Sequence, residues 1–273
     1  MNCLSKKLVQ TILFISLFYL SSAQATDALL TWISLPEQGV SQVNVQRFVN
    51  DEWQTADEIY RSKDRVFSPA VSSNKNGDVL VVWTSTSTVQ SVIKAAFNIN
   101  GVWQTPQTIA NQGGETTTPV VVFDHNNNAF VAWANDHNGG DDIYWQQWFA
   151  ETEEWSTAER ANQENSAPDF LPGLILNQNG DVLLEWQFFD RSSATTIAMS
   201  RVFEIERSEN SPLQQNEKSK ELSFADIALP DDWAGASGRA VMHFPDNSSV
   251  MYEKLPRYVS CLLYTSPSPR DRG

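Results

Sequence analysis

The residues with the greatest potential for chemistry lie in one short run, residues 135–142, which reads Asn-Asp-His-Asn-Gly-Gly-Asp-Asp. Calcium in proteins takes roughly six to eight oxygen ligands, and the carboxylates of Asp136, Asp141 and Asp142 offer several of them. The spacing does not match the EF-hand pattern D-x-[DN]-x-[DN]-G, and a solvated acidic loop explains the same residues. Calcium is therefore the one cofactor to consider, and no metal site is assigned.

His137, Tyr144 and Trp145 complete this run as candidate ligand-binding residues. No nucleophile is paired with His137 in the sequence, so a surface histidine is the alternative interpretation. Trp145 departs from the residues assigned to equivalent strand positions, which are Val45, Lys94 and Met199. Such an aromatic ring can stack on a sugar, and packing against a neighbouring sheet is the alternative.

Glu185 is a further candidate because it places a charge within an apolar strand. Its counterparts in equivalent strands are the uncharged residues Thr31, Val82 and Ala132. A partly buried carboxylate is usually paired, here with Arg191 or Arg201. A catalytic carboxylic acid needs a raised pKa and a second carboxylate at a defined separation, and the sequence shows neither. No catalytic residue is therefore predicted.

The elements that position these residues repeat along the chain. One series of tryptophans ends equivalent apolar runs at separations of 51, 50 and 53 residues, and a second series follows at separations of 50 and 52. The first series is Trp32, Trp83, Trp133 and Trp186, and the second is Trp53, Trp103 and Trp155. One bulky side chain at a fixed place in each repeat fills the space between repeated sheets, so both series are predicted to be structural.

Each repeat of about 50 residues holds about four short strands and no helical stretch, which is typical of a propeller blade. Turn signals such as Asn76-Gly77 and Asn100-Gly101 separate the strands. The predicted fold is therefore all-β, a β-propeller built from four-stranded blades. Four blades and the start of a fifth lie near residues 27–60, 69–110, 119–161, 172–229 and 239–260.

The first blade begins with its second strand, because residues 27–32 correspond to the second strand of the later repeats. A closed propeller leaves no exposed edge, so the missing strand is predicted to come from the C-terminal end of the intact protein and to pair beside residues 28–32. Tight turns alternate with longer connections of variable length along the chain. Binding residues more often lie on variable loops, so the face with the longer connections is the candidate functional face.

Both ends of the chain are interpreted separately from the propeller, which occupies residues 26–260. Residues 1–25 have the charged start, apolar segment and Ala-Gln-Ala ending of a signal peptide, which predicts a secreted protein, periplasmic or extracellular, without membrane association after cleavage. Residues 261–271 resemble translated sequencing-adapter DNA, so residues 261–273 are interpreted as an artefact and the propeller as truncated. The formal net charge of −14 disfavours binding to nucleic acid.

The run Asn128-Ala129-Phe130-Val131-Ala132-Trp133, followed by Ile143-Tyr144, resembles repeats of secreted bacterial proteins with sialidase-like propellers. The likeness extends over residues 27–252 and implies the propeller fold. The Asp-box of true sialidases, S-x-D-x-G-x-T-W, is absent. No pattern assigns the arginines to a triad for a substrate carboxylate, so no catalytic residue is carried over from the resemblance.

The expected function is a secreted binding or interaction module that uses the face with the longer connections. Its partner is expected to be a glycan or another extracellular protein. The alternative is a glycoside hydrolase of sialidase-like type, with an active site partly in the missing C-terminal blades. A structural surface module without a small ligand is the third interpretation. The binding module is favoured because a propeller hosts many unrelated functions and the sequence carries no catalytic motif.

Overall fold

The computed structural model describes residues 28–137, 139–163, 165–177 and 179–206, together with the backbone of three later strands. Every regular element in this part of the chain is a β-strand, and the strands form four antiparallel sheets. The all-β prediction is therefore confirmed. The described residues contain no helix that is long and apolar enough to cross a membrane.

Sheet one contains β1 (Ala28–Glu37), β2 (Val40–Val49), β3 (Glu52–Trp53) and β4 (Asp57–Ser62). β2 pairs with β1 on one side and with β3 and β4 on the other.

Sheets two and three repeat this plan with an added inner strand, and the described part of sheet four holds the inner strand and the next two. Sheet two contains β5 (Arg65–Ser73), β6 (Val79–Thr86), β7 (Ser91–Ile99), β8 (Val102–Trp103) and β9 (Gln107–Ala110). Sheet three contains β10 (Thr116–Phe123), β11 (Ala129–Asn135), β12 (Asp142–Phe149), β13 (Glu154–Trp155) and β14 (Glu159–Arg160). Sheet four contains β15 (Asp169–Leu176), β16 (Val182–Asp190) and β17 (Thr195–Phe203). In sheets one to three, the predicted fourth strand is split into two pieces that both pair with the third.

Three later strands join sheet one, namely β18 (Gly238–His243), β19 (Ser249–Leu255) and β20 (Tyr258–Val259). β18 pairs antiparallel with the free edge of β1, where the sequence analysis expects a strand from beyond the truncation. The sequence assigns β18 and β19 to a fifth blade, whereas here they extend sheet one. An open edge presents unpaired N–H and C=O groups, which explains why β1 takes a neighbour. A separate fifth blade stays a prediction.

The inner strands β5, β10 and β15 share one irregularity. The pairing register of each strand shifts at a proline, and the residue before that proline has a left-handed backbone. These residues are Ser68 (φ 50°), Thr118 (φ 48°) and Leu171 (φ 53°). Because a β-bulge bends its strand, the three inner strands bend at the same place in the repeat.

An Asx turn closes the hairpin between the first two strands in sheets two to four. In sheet two, Asn74 Oδ1 accepts the N–H groups of Asn76 and Asp78, and Asp78 Oδ1 accepts the N–H of Asn100. Asp124 and Asn177 accept the corresponding N–H groups in sheets three and four. Side chains that bond their own backbone favour such turns. The predicted tight turns are therefore structural, at the end of the strands opposite to the longer connections.

Apolar clusters fill the spaces between consecutive sheets. Trp83 belongs to the cluster between sheets one and two, Trp133 to the one between sheets two and three, and Trp186 to the one between sheets three and four. Trp83 and Trp133 are fully buried, and Trp32 and Trp186 nearly so. The second series of tryptophans is only partly buried. Consecutive sheets therefore pack through one deep tryptophan per repeat.

Candidate functional site

The longer connections of sheets two to four lie at one end of the strands, which we call the loop face. It comprises residues 87–90, 111–115, 136–137, 139–141, 161–163, 165–168 and 191–194. The connection in sheet three is held by its neighbours on both sides. Asp136 donates its N–H to the carbonyl of Glu115, and Asp169 donates its N–H to the carbonyl of Asp141 at 2.6 Å. The loop face thus brings three connections together around sheet three.

One hydrogen bond between neighbouring sheets recurs in three repeats, but its acceptor atom differs in the third. In sheets one and two, the hydroxyls of Ser41 and Ser91 accept an N–H at the start of the next inner strand, at 3.4 and 3.1 Å. Asp141 is their counterpart, because each of the three stands three residues before the residue opposite the repeat tryptophan. In sheet three, the backbone carbonyl of Asp141 accepts the N–H of Asp169 instead. The Asp141 side chain therefore does not make the hydrogen bond to the next sheet that the side chains of Ser41 and Ser91 make.

The Asp141 carboxylate is partly buried and accepts no hydrogen bond from a described residue. Burial raises its pKa, and the negative charges of Asp136, Glu115 and Asp142 raise it further. A carboxylate in such surroundings is stabilised by a proton or by a hydrogen-bond donor. Asp141 can thus accept a hydrogen bond from a hydroxyl or ammonium group of a ligand.

Asp142, another predicted ligand-binding residue, has a structural role instead. The Nδ2 atom of Asn162 donates to Asp142 Oδ1 at 2.8 Å and to Asp169 Oδ2 at 2.7 Å. Arg160 forms a 3.4 Å ion pair with Asp142, and Trp186 Nε1 donates to Asp169 Oδ1 at 2.7 Å. Asp142 and Asp169 are only 3% and 2% exposed. This network joins sheet three to sheet four.

Asp136 and His137 are exposed at the rim of the loop face, and a glycine allows their close packing. The Asp136 carboxylate accepts the backbone N–H of Glu115. Gly114 has a φ of +68°, and a Cβ atom there would lie 2.5 Å from Asp136 Oδ1 and 2.7 Å from the backbone N of His137. Asp136 and His137 can therefore occupy these positions only because residue 114 is a glycine and has no side chain.

Replacing Gly114 with alanine is expected to destabilise the protein by more than about 1 kcal/mol, because the methyl group adds overlap to a left-handed backbone. Gly77→Ala is the matched control, since Gly77 has a φ of +84° and open space around its Cβ position. Urea unfolding of both variants measures the difference in the free energy of unfolding. Equal losses would show that residues 136 and 137 are not held against Gly114.

The strand register corrects the alignment of Trp145. Trp145 lies opposite Ala132, so its counterparts are Val45, Ala95 and Ser200. Lys94 and Met199 are the counterparts of Tyr144, and the prediction that they match Trp145 is wrong by one residue. The physical reason is the two-residue period of a strand, because a slip of one residue moves a side chain to the other face of the sheet.

Trp145 and Tyr144 pack between sheets. The ring centroid of Trp145 lies 4.3 Å from that of Phe203, and the Arg201 guanidinium lies 5.3 Å above the same ring. Tyr144 stacks on Trp133 with 6.3 Å between centroids and 15° between planes. The structure therefore favours packing, which the sequence allows as the alternative to a sugar-stacking platform.

Glu185 is partly buried on β16, opposite Gly173 and Ser200, and it precedes the loop-face end of that strand by five residues. Within the described ranges it forms no ion pair with Arg191 or Arg201. The Arg201 guanidinium instead lies over the rings of Trp145 and Phe203. The structure thus does not bring Glu185 together with Asp141.

The weak calcium candidates do not form a ligand set. In the part of the chain that the structure describes, no group of three or more His, Cys, Asp or Glu residues is arranged to hold a metal ion. The carboxylates of Asp136 and Asp142 already accept hydrogen bonds from Glu115 and Asn162. Asp136 and Asp142 are therefore better described by these protein partners than as oxygen ligands of calcium, and Asp141 belongs to no described group of metal ligands.

Sequence reasoning does not single out Glu115, Asn162 or Asp169, although all three contact candidate residues. Each lies in or next to a connection between repeats, where the tryptophan spacing gives no alignment. One signal is available for Asp169. It stands three residues before the inner-strand proline, where the other repeats have the uncharged residues Val66 and Thr116.

No protein-family model matches the chain, and no curated protein matches it either. Among solved structures, an endo-arabinase from Bacteroides thetaiotaomicron is similar with a TM-score of 0.44 and 9% identity, over 90% of this chain and 95% of the other. A protein of unknown function from Dyadobacter fermentans has a TM-score of 0.41 and 14% identity, over 69% and 62% of the two chains.

An intramolecular trans-sialidase from Ruminococcus gnavus has a TM-score of 0.39 and 10% identity, over 61% of this chain and 40% of the other. TM-scores and identities this low carry no argument about the site or the activity of this chain. The geometry of the loop face must therefore support any functional conclusion by itself.

Proposed function

We propose that this protein is a secreted β-propeller whose loop face binds a carbohydrate, with Asp141 as the hydrogen-bonding anchor. The observation that carries the proposal is the change from Ser41 and Ser91 to Asp141 at a repeated contact. Two repeats use this side chain to join neighbouring sheets, whereas the Asp141 carboxylate has no described donor and a raised pKa. A carboxylate whose pKa is raised by burial and by neighbouring charges is a candidate for a functional residue.

The propeller arrangement is supported by the shared plan of the sheets. The inner strands bulge at equivalent prolines, and an apolar cluster lies between each consecutive pair of sheets. The opposite end of the strands is less suited to binding, because its Asx-turn side chains are engaged with the backbone. The loop face is therefore the end at which side chains remain available to a ligand.

The ligand class follows from two arguments. The resemblance of residues 128–133 to sialidase-like repeats suggests a carbohydrate. The charges of Glu115, Asp136 and Asp142 around Asp141 repel an anionic ligand and favour hydroxyl or ammonium donors. Hydrogen bonds to a charged acceptor are among the stronger ones, so one carboxylate can orient a sugar ring. We therefore expect a neutral sugar or an amino sugar rather than a sialic acid.

A glycan array tests this proposal. The probes are neutral arabino- and xylo-oligosaccharides, glucosamine oligomers and sialyllactose. We expect the wild-type protein to be retained by a neutral or amino sugar and not by sialyllactose, and Asp141→Ser to lose that retention. Asp190→Ser is the control, because the Asp190 carboxylate accepts hydrogen bonds from Ser192 and Ser193 within its own turn. Absence of wild-type binding to any probe, or retention of binding by Asp141→Ser, contradicts the proposal.

A glycoside hydrolase is the second candidate, and the raised pKa of Asp141 favours it. A general acid in a glycosidase needs such a pKa together with a second carboxylate that faces the same sugar. Asp142, the neighbouring carboxylate, is instead tied to Asn162 and Arg160. We therefore expect no release of reducing ends from the array oligosaccharides. Release that Asp141→Asn abolishes would replace the binding proposal with a hydrolytic one.

A further inference from the structure

A buried pair of carboxylates lies at the junction of sheets three and four. Asp142 begins β12, Asp169 begins β15, and a single amide nitrogen of Asn162 donates to both. Arg160 is the described cation that contacts the pair, and its ion pair is made with Asp142. The two carboxyl groups are therefore contacted by one described cation, Arg160. Both are almost completely buried from solvent.

The groups that surround Asp169 come from three elements. Asp142 of β12 is the charged residue that acts on Asp169, and Arg160 of β14 pairs with Asp142. Trp186 of β16 and the Asn162 amide are neutral donors to Asp169. Burial raises the pKa of Asp169 most strongly, and the charge of Asp142 raises it further. The hydrogen bonds from Trp186 and Asn162 act in the opposite direction and do not cancel the rise. A buried charge without its own cation is costly, so a proton relieves it.

We propose that Asp142 and Asp169 form a pH-sensitive junction, which we call the latch, that holds sheets three and four together when Asp169 is protonated. Uptake of one proton from solvent by Asp169 leaves the pair with one negative charge, which Arg160 balances. Release of that proton leaves two negative charges on either side of the Asn162 amide, and the junction loosens. The latch is a device of the fold, and its existence does not rest on the proposed function.

The raised pKa of Asp169 determines how the stability of the junction depends on pH. The folded state holds the Asp169 proton more tightly than the unfolded state does. The stabilisation is therefore fully present below about pH 4, the unfolded pKa of an aspartate, and is lost as the pH rises through the raised folded pKa. Because Asp169 donates its N–H to the carbonyl of Asp141, the latch also sets the position of Asp141. Only this last consequence rests on the proposed function.

The indole N–H of Trp186 reports on the latch because it donates to Asp169. In a two-dimensional nitrogen–proton spectrum, we expect its resonance to titrate with a midpoint above about pH 4. The variant Trp186→Phe identifies the resonance. Asp142→Asn should move the midpoint to lower pH, because it removes the like charge. A resonance that does not move between about pH 3 and pH 8, or a midpoint that Asp142→Asn leaves unchanged, overturns the proposal.

Hydrogen exchange of the wild-type protein keeps the test independent of the variants. After correction for the intrinsic effect of pH, exchange of the Asp169 N–H should accelerate as Asp169 loses its proton, by about tenfold for each unit by which its pKa is raised. A corrected rate that is constant with pH contradicts the latch. A titrating latch in a protein that binds no carbohydrate would overturn the proposed function alone.

Discussion

Replacing Trp133 with alanine is expected to lower the free energy of unfolding by about 3–5 kcal/mol. Trp133 is fully buried in the cluster between sheets two and three, and its ring stacks on Tyr144. Alanine would leave a cavity where two sheets meet, and both would lose contacts. Equilibrium unfolding in urea, followed by circular dichroism, gives the loss directly.

Trp155→Ala is the matched control for this experiment. Trp155 belongs to the second series of tryptophans, is only partly buried and packs at the margin of the same cluster, 6.0 Å from the ring of Phe97. We expect a clearly smaller loss, because less apolar surface is removed from water at this position. Equal losses for the two variants would contradict the account in which one deep tryptophan per repeat holds neighbouring sheets together.

Asp141→Ser is expected to weaken carbohydrate binding and to stabilise the fold. Hydrogen bonds to charged groups contribute about 1.5–3 kcal/mol, so affinity should fall by about tenfold or more. Stability should rise because serine removes a desolvated carboxylate that lies among other negative charges. Gains from such changes are commonly about 0.5–2 kcal/mol. Titration calorimetry and urea unfolding measure the two effects.

Asp190→Ser makes the same substitution at a position where we expect the opposite change in stability. Hydrogen bonds from Ser193 and Ser192 lower the pKa of Asp190 to about 2, so folding favours its charged form. That contribution is present above about pH 4 and is lost as the pH falls toward the folded value. At neutral pH we therefore expect Asp190→Ser to lose stability and to keep carbohydrate binding. A stability gain in both variants would show that the Asp141 result is a general effect of removing acidic charge.

The strands and their packing could be predicted from the sequence because their signals are periodic. Alternating apolar runs that end in Trp83, Trp133 and Trp186 indicate both the strands and the residues between the sheets. The prediction failed by one residue at Trp145, since spacing from a tryptophan does not fix the register of the following strand. The pairing of β18 with β1 was not predicted, because the missing strand was expected beyond the truncation and an open edge does not specify its partner.

The candidate site was less accessible to sequence reasoning than the fold. Asp136, His137 and Asp141 were predicted from their residue types, and the structure places them on the loop face. The role of Asp142 depends on Asn162 and Arg160, which lie beyond β12 in the chain. Hydrogen bonds between repeats join residues about 20 positions apart and leave no periodic trace. The exchange of a serine hydroxyl for a backbone carbonyl at Asp141 could be found only from the positions of the atoms.

Hydrogen–deuterium exchange with the best retained neutral or amino oligosaccharide tests the central claim, that the ligand binds at the loop face through Asp141. The account predicts slower exchange in peptides that cover residues 111–117 and 139–145 when the sugar is added. It predicts no change in the tight turns at residues 74–78 and 124–128. Protection of those turns, with none on the loop face, would contradict the account.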